Sequence, residues 1–320
     1  MSTTSTGPGV ATDPGVGDAV EGSPFRSLVS ELAAVTVDST DLDAWQRFGS
    51  DFLGMSAERD GDQLRLKMDD YPYRFLIRRA DRDGIAGLTW VSRGAAALAE
   101  IRERWERGGG KSESIETRDW NSGEAHESYA FRDHHGVLHE VFDVAPGGQS
   151  AYEPGDDVSG FVTGDAGLGH IVMFDDVDQA NRVYVDAFAM TLREDSNKTQ
   201  VGGRGRFYGC NTRHHTMAAI EIPGKAPGVM HLMVEMLTID DVGLALDRAK
   251  AGGWQPRTSL GRHPDHVISF YIPSPGGFDF EVGYCGLLVE SDDHWEANKL
   301  DMRAPSWGHD GIRPTAESNE

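Results

Sequence analysis

The chain has 320 residues, 38% hydrophobic and 26% charged, with 52 acidic against 30 basic side chains and a formal charge of −22. That length predicts two domains of ordinary size, each with its own core, and the charge argues against a nucleic-acid duplex or an anionic membrane as partner. No apolar run reaches the length of a membrane span, and Cys210 and Cys285 form no CxxC pair, so neither a disulfide framework nor a thiolate zinc site is indicated and a reducing cytoplasm is expected.

Residues 1–24 contain no Lys or Arg and no apolar core, which fits neither a secretory signal nor a transit peptide and predicts a disordered, acidic tail. Residues 32–37 read as a strand, and 42–53 as a helix in which Leu42, Trp45, Phe48 and Phe52 recur near helical spacing up to Gly54. Strands follow over 63–68, 71–78 and 85–91, then a helix over 95–107 stopped by the glycines at 108–110, then strands over 128–131 and 137–144. Residues 146–166, rich in Gly and polar side chains, read as a linker. Beyond it the pattern returns: a strand over 168–174, a helix over 177–188, strands over 206–208, 216–222 and 229–236, and a helix over 240–250 stopped by Gly252 and Gly253. Two further strands, 267–272 and 278–282, flank the Pro/Gly-rich turn at 273–277.

The two halves superimpose as sequences. Residues 32–37 match 168–173 at a shift of 136, 84–87 match 228–231 at 144, and 128–141 match 269–282 at 141. A repeat of that length indicates a duplicated domain and not a solenoid. The expected fold is therefore α+β, with two similar domains over 25–145 and 167–310, each of two βαβββ modules, and a short tail at 311–320. His170, His231 and Glu281 in the second half fall opposite Ala34, Gly87 and Glu140 in the first, so a single metal site is expected, in the second domain, with the first an inert copy.

Taken singly, His170 and His231 are also explained as satisfied core histidines, and Glu281 as a carboxylate paired with Arg or Lys. Together, two His and one carboxylate on one face form the donor set of a non-haem Fe(II) oxygenase. Zinc accepts the same ligands but has no redox chemistry for dioxygen.

Residues 261–281, with Gly-x-His at 261–263, Phe-Tyr at 270–271, a Pro-x-Gly turn and Glu281, resemble the signature of the type I extradiol ring-cleavage dioxygenases of the vicinal oxygen chelate superfamily. The resemblance covers roughly residues 28–310 and is nearest to the two-domain enzymes acting on 2,3-dihydroxybiphenyl and related bicyclic catechols. It departs at Ser274, where the family more often carries another turn residue, and at 263–266, which is one residue shorter and leaves the roles of Asp265 and His266 open. Carried over position by position, the resemblance implies iron ligation by His170, His231 and Glu281, with Mn(II) able to replace Fe(II). It implies that His215, in Arg-His-His-Thr, is a general acid/base, and that His263 and Tyr271 hydrogen-bond the catechol oxygens. It further implies catechol and dioxygen as small-molecule partners, and a homo-oligomer. Phe188, Met190, Phe207, Met217 and Phe278 are candidates for an apolar pocket around a second ring, with most of them expected to be plain core, and His294 and His309 are candidates for surface or tail contacts. Two rivals share the fold: a glyoxalase-like isomerase or lyase using a metal as Lewis acid, and a non-catalytic binder of aromatic ligands or drugs.

Overall fold

The computed structural model describes residues 23–118, 125–144, 152–155 and 157–312. Most of the expected N-terminal tail, the expected C-terminal tail beyond 312, and part of the expected linker lie outside the described residues.

The first half comprises β1 (Val29–Ser39), α1 (Leu42–Arg47), β2 (Ser56–Asp60), β3 (Gln63–Lys67), β4 (Phe75–Arg79), β5 (Gly84–Ser92), α2 (Ala95–Arg107), β6 (Ser112–Arg118), β7 (Ala125–Arg132) and β8 (Leu138–Phe142). The second comprises β9 (His170–Phe174), α3 (Val177–Asn181), β10 (Thr191–Ser196), β11 (Arg204–Gly209), β12 (Met217–Glu221), β13 (Gly228–Glu235), α4 (Ile239–Ala251), β14 (Gly261–Arg262), β15 (Ile268–Pro273), β16 (Asp279–Tyr284) and β17 (Trp307–Gly308). They form an eight-stranded sheet, β2-β3-β4-β1-β5-β8-β7-β6, and a nine-stranded sheet, β10-β11-β12-β9-β13-β16-β15-β14-β17. The same α+β architecture is thus written twice.

Strand pairing carries the repeat down to single residues. In the second sheet His170 pairs with Met233 and Met233 with Glu281; in the first Ala34 pairs with Thr89 and Thr89 with Glu140. His231 pairs with Asp279, as Gly87 pairs with Leu138. The positions matched by sequence are therefore matched in register.

Two expectations need correction. The helices expected over 42–53 and 177–188 are α-helical only in their first part and continue as π-helix over Phe48–Leu53 and Arg182–Ala187, where Phe188 N donates to Val183 O at 2.9 Å. A single widened turn of this kind keeps the same apolar face, so periodicity does not reveal it. Nor does each domain keep a core to itself. One buried cluster runs from Leu28 to Val282, because Phe280 of β16 packs on Trp45, Phe48 and Phe75 with ring centroids 6.0, 5.2 and 5.4 Å away. The backbone bonds Leu28 N to Phe188 O (2.8 Å) and Leu168 N to Leu32 O (2.9 Å) tie the halves further.

Near that junction Arg74 is fully buried and holds two carboxylates: its Nε and Nη2 donate to Asp69, and its Nη1 donates to Glu31 Oε2 at 3.1 Å and to Ala33 O at 2.8 Å. Tyr71 OH donates to the other Glu31 oxygen at 2.6 Å. Burial raises the Glu31 carboxyl above its usual range, against the pull of Arg74. Arg74→Leu is expected to destabilise the protein by about 3–5 kcal/mol, since it strands buried charge. Urea unfolding measures this, and a loss below about 1 kcal/mol would show that the cluster contributes no more than a surface pair.

Candidate functional site

The three residues singled out as metal ligands sit on three adjacent central strands, β9, β13 and β16. Alternation along β16 sends Phe280 and Val282 into the shared core and Glu281 to the opposite face, inside the curve of the second sheet. The entry into β9 depends on Gly169, at φ 148°, where a Cβ would stand 2.0 Å from Met233 O; only glycine permits that approach of β9 to β13.

The ligand atoms converge. His170 Nε2 and His231 Nε2 lie 3.1 Å apart, and Glu281 Oε2 lies 3.2 Å from the first and 3.3 Å from the second. All three side chains are buried. Among the described residues they form one of three clusters whose donor atoms are close enough to share a metal ion, and two His with one carboxylate suit such an ion. Burial pushes the Glu281 carboxyl up, but the hydrogen bonds from His170, His231 and His263 outweigh it and hold the group well below the usual carboxylate range. Its second oxygen, Oε1, accepts a hydrogen bond from Ser269 Oγ at 2.6 Å and stands 3.3 Å from His263 Nε2.

The residues expected to act on substrate gather around this triad. The His215 ring stacks on His170 with centroids 4.1 Å apart, and its Nδ1 lies 3.1 Å from His214 Nδ1 and 3.6 Å from Asp265 Oδ2. Burial, then the neighbouring His170 and His214, hold its pKa well below that of free imidazole, so it is neutral. Tyr271 OH is 3.0 Å from His263 Nε2, and its ring packs edge-on against His231. Burial and then Glu281 raise its phenol well above the ordinary value, which keeps its proton on oxygen.

Several participants carried no clear signal in the sequence. Ser269 shares a face with Tyr271, two residues along β15, and alternation would have found it. Gln200, whose Nε2 is 3.1 Å from His263 Nδ1, sits on the loop between β10 and β11, which has no periodicity to read. Of the two residues left open, Asp265 is buried toward His215, whereas His266 is exposed at φ 74° in the shortened turn. Of the surface and tail contacts expected for His294 and His309, His309 makes a buried tail contact: it stacks on His263 at 4.0 Å, and burial and then His263 push its pKa down to about 3.

Of the five apolar candidates most were expected to be core, and four of them are. Phe207 does line the cavity, with Val172, Ile220, Met230 and Met302. Phe188, Met190, Met217 and Phe278 belong instead to the core on the other side of the sheet. Proximity in sequence to ligand strands does not decide which face a side chain takes.

Residues 167–282 match the Glyoxalase/Bleomycin resistance protein/Dioxygenase superfamily, and residues 32–79 match the family described as dihydroxybiphenyl dioxygenase BphC D1. A curated relative, the iron-dependent extradiol dioxygenase of Rhodococcus jostii, is 36% identical over 316 residues, covering 89% of this chain and 99% of that protein. The chain belongs to the extradiol dioxygenases. The biphenyl-2,3-diol 1,2-dioxygenase of Paraburkholderia xenovorans is 32% identical to this dioxygenase, over 87% of the chain and 94% of its own length. Among solved structures, that of BphC, a halotolerant catechol dioxygenase, superimposes with a TM-score of 0.78 at 27% identity, covering 88% of this chain and 94% of that one. No helix of the described residues is long and apolar enough to cross a membrane.

Proposed function

We propose that this dioxygenase opens the ring of a catechol beside its two hydroxyls, with dioxygen as oxidant, at an Fe(II) held by His170, His231 and Glu281. The observation that carries the proposal is the convergence of those three ligand atoms within one buried cluster, flanked by His215, His263 and Tyr271. Mn(II) suits the same donors. Bound there, the metal supplies the Lewis acidity that eases loss of the catechol protons and the redox couple that dioxygen requires. The first domain, with Ala34, Gly87 and Glu140 at the equivalent positions, is the inert copy. A cytoplasmic homo-oligomer is the proposed working form.

The protein's own groups then divide the work. Glu281 brings one negative charge, which lowers the cost of burying a divalent ion, and Ser269 fixes the carboxylate by holding Oε1. Tyr271 and His263 present an O–H and a ring nitrogen side by side to the catechol oxygens. His215, neutral and with Nδ1 directed toward His214 and Asp265, has Nε2 left to take up or return a proton at the oxygen-bearing side. Val172, Phe207, Ile220, Met230 and Met302 exclude water and seat an aromatic ring.

Anaerobic incubation with 2,3-dihydroxybiphenyl followed by admission of air tests the reaction: a yellow ring-opened product with stoichiometric oxygen uptake is expected. A redox-inert metal without uptake would favour a glyoxalase-like reaction, and no metal at all a binding protein. The apolar lining also predicts a preference for bicyclic catechols. Burying a second ring contributes about 1.5–3 kcal/mol, so kcat/KM for the biphenyl diol should exceed that for catechol by roughly 10- to 150-fold. A higher kcat/KM for catechol or a small alkylcatechol would overturn the preference.

A further inference from the structure

A second cluster of metal-type donors lies where the two halves meet. His134 and His135, on the turn between β7 and β8 of the first sheet, direct both Nε2 atoms at one oxygen of Asp175, just past the end of β9 in the second. The distances to Asp175 Oδ1 are 2.7 and 2.6 Å, and the imidazole centroids are 3.8 Å apart. This is the same donor set as at the catalytic centre, two His and one carboxylate, with all ligand atoms within 4.8 Å of one another. Asp175 is five residues from His170 along an extended strand, roughly 16 Å away at ~3.3 Å per residue, so the two clusters cannot share an ion.

The cluster is held in place before any ion arrives. Asp133 Oδ1 accepts hydrogen bonds from His135 N and Val137 N, both at 2.9 Å, and Gly136, at φ 81°, closes the turn by donating from its N to Asp133 O at 3.0 Å. Trp90 Nε1 donates to His139 Nδ1 at 3.1 Å, which places the His139 proton on Nε2, 3.4 Å from Asp133 Oδ2. Behind the carboxylate, Asp175 N donates to Ile220 O at 3.0 Å. The Asp175 side chain is only 3% exposed, whereas those of His134 and His135 are 24% and 21% exposed, which leaves a route in from solvent.

We propose that His134, His135 and Asp175 form a second metal site, for Zn(II), that staples the first domain to the second. Imidazole and carboxylate donors on a borderline ion favour zinc, with water completing a tetrahedron. Each imidazole coordinates through Nε2 with its remaining ring proton on Nδ1, and any second proton held against the Asp175 carboxylate is released to solvent as the ion binds. Bonds of ~2.0–2.1 Å at tetrahedral angles separate ligand atoms by about 3.3 Å, which the turn reaches by opening less than ~1 Å at each His–Asp contact. A hydrogen-bonded contact alone would leave one carboxylate oxygen accepting from both imidazoles at the rim of the interface; the ion replaces that crowding with three bonds. Because it binds only where both domains are folded and docked, it stabilises the native state by mass action.

The test uses the iron-loaded wild-type protein and the double variant His134→Gln/His135→Gln, whose side chains are partly exposed and outside the catalytic machinery. Both are dialysed against excess zinc sulfate, their iron and zinc are counted by mass spectrometry, and their Tm is read with and without zinc. One more zinc per chain in the wild type than in the variant is expected, with a Tm rise of several degrees in the wild type only. The comparison is between the two proteins, so any zinc that displaces iron from the catalytic site cancels. Equal zinc content, or a Tm response shared by both, would overturn the proposal. His135→Gln alone should show the same loss in weaker form, and serves if the double variant does not fold.

Discussion

Glu281→Ala, His170→Ala and His231→Ala are each expected to empty the proposed iron site, while Glu140→Ala leaves the metal content unchanged. Among the described residues Glu281 is the carboxylate whose oxygen reaches both imidazoles, at 3.2 and 3.3 Å, from a buried position. Without it a divalent ion would be buried against two neutral rings with no opposing charge, which burial penalises heavily. Losing an outer partner of a ligand already costs ~10–100-fold in metal affinity, and losing a ligand itself should exceed that. Glu140 occupies the matching position in the first sheet, but Ala34 and Gly87 stand where the histidines would be, so its removal takes nothing from a metal. Iron counted after anaerobic purification, with circular dichroism to confirm folding, decides the matter. Retained iron in Glu281→Ala together with lost iron in Glu140→Ala would reverse the roles of the two domains.

His215→Gln should behave in the opposite sense, keeping the metal and losing the rate. The His215 ring stacks on His170 without joining the ligand cluster, and its Nδ1 is directed toward His214 and Asp265. Glutamine preserves a polar side chain of similar reach but cannot cycle a proton. Loss of a positioned acid/base lowers a rate by ~10²–10⁴; ring opening should slow by that order, with iron content and anaerobic catechol binding unchanged. Loss of iron would instead make His215 a ligand or a support for one. Turnover near wild type would move proton transfer to another group, His263 first.

What the sequence determined by itself was local chemistry and its repetition. Apolar alternation, helical spacing and glycine stops are short-range signals, and they place the central strands of both sheets, the helix over Ala95–Arg107 and the duplicated register that sets Glu281 opposite Glu140. The convergent His170, His231 and Glu281 were legible for the same reason: each interrupts an apolar strand inside a recognisable motif. Strands with no such signal escaped. β2, β6 and β10 are polar segments at the ends of their sheets, and an edge strand is polar because one side of its backbone faces water. Only the tertiary structure decided which face each side chain takes, and with it whether Phe207 or Phe188 lines the cavity. It also decided that Phe280 joins two expected cores into one, and that His309 is buried on His263. The meeting of His134 and His135 with Asp175 is of the same kind. The partners are 41 and 40 residues apart, on a turn of one sheet and just past a strand end of the other, and nothing in either segment encodes the docking of one domain on the other that brings them within bonding distance.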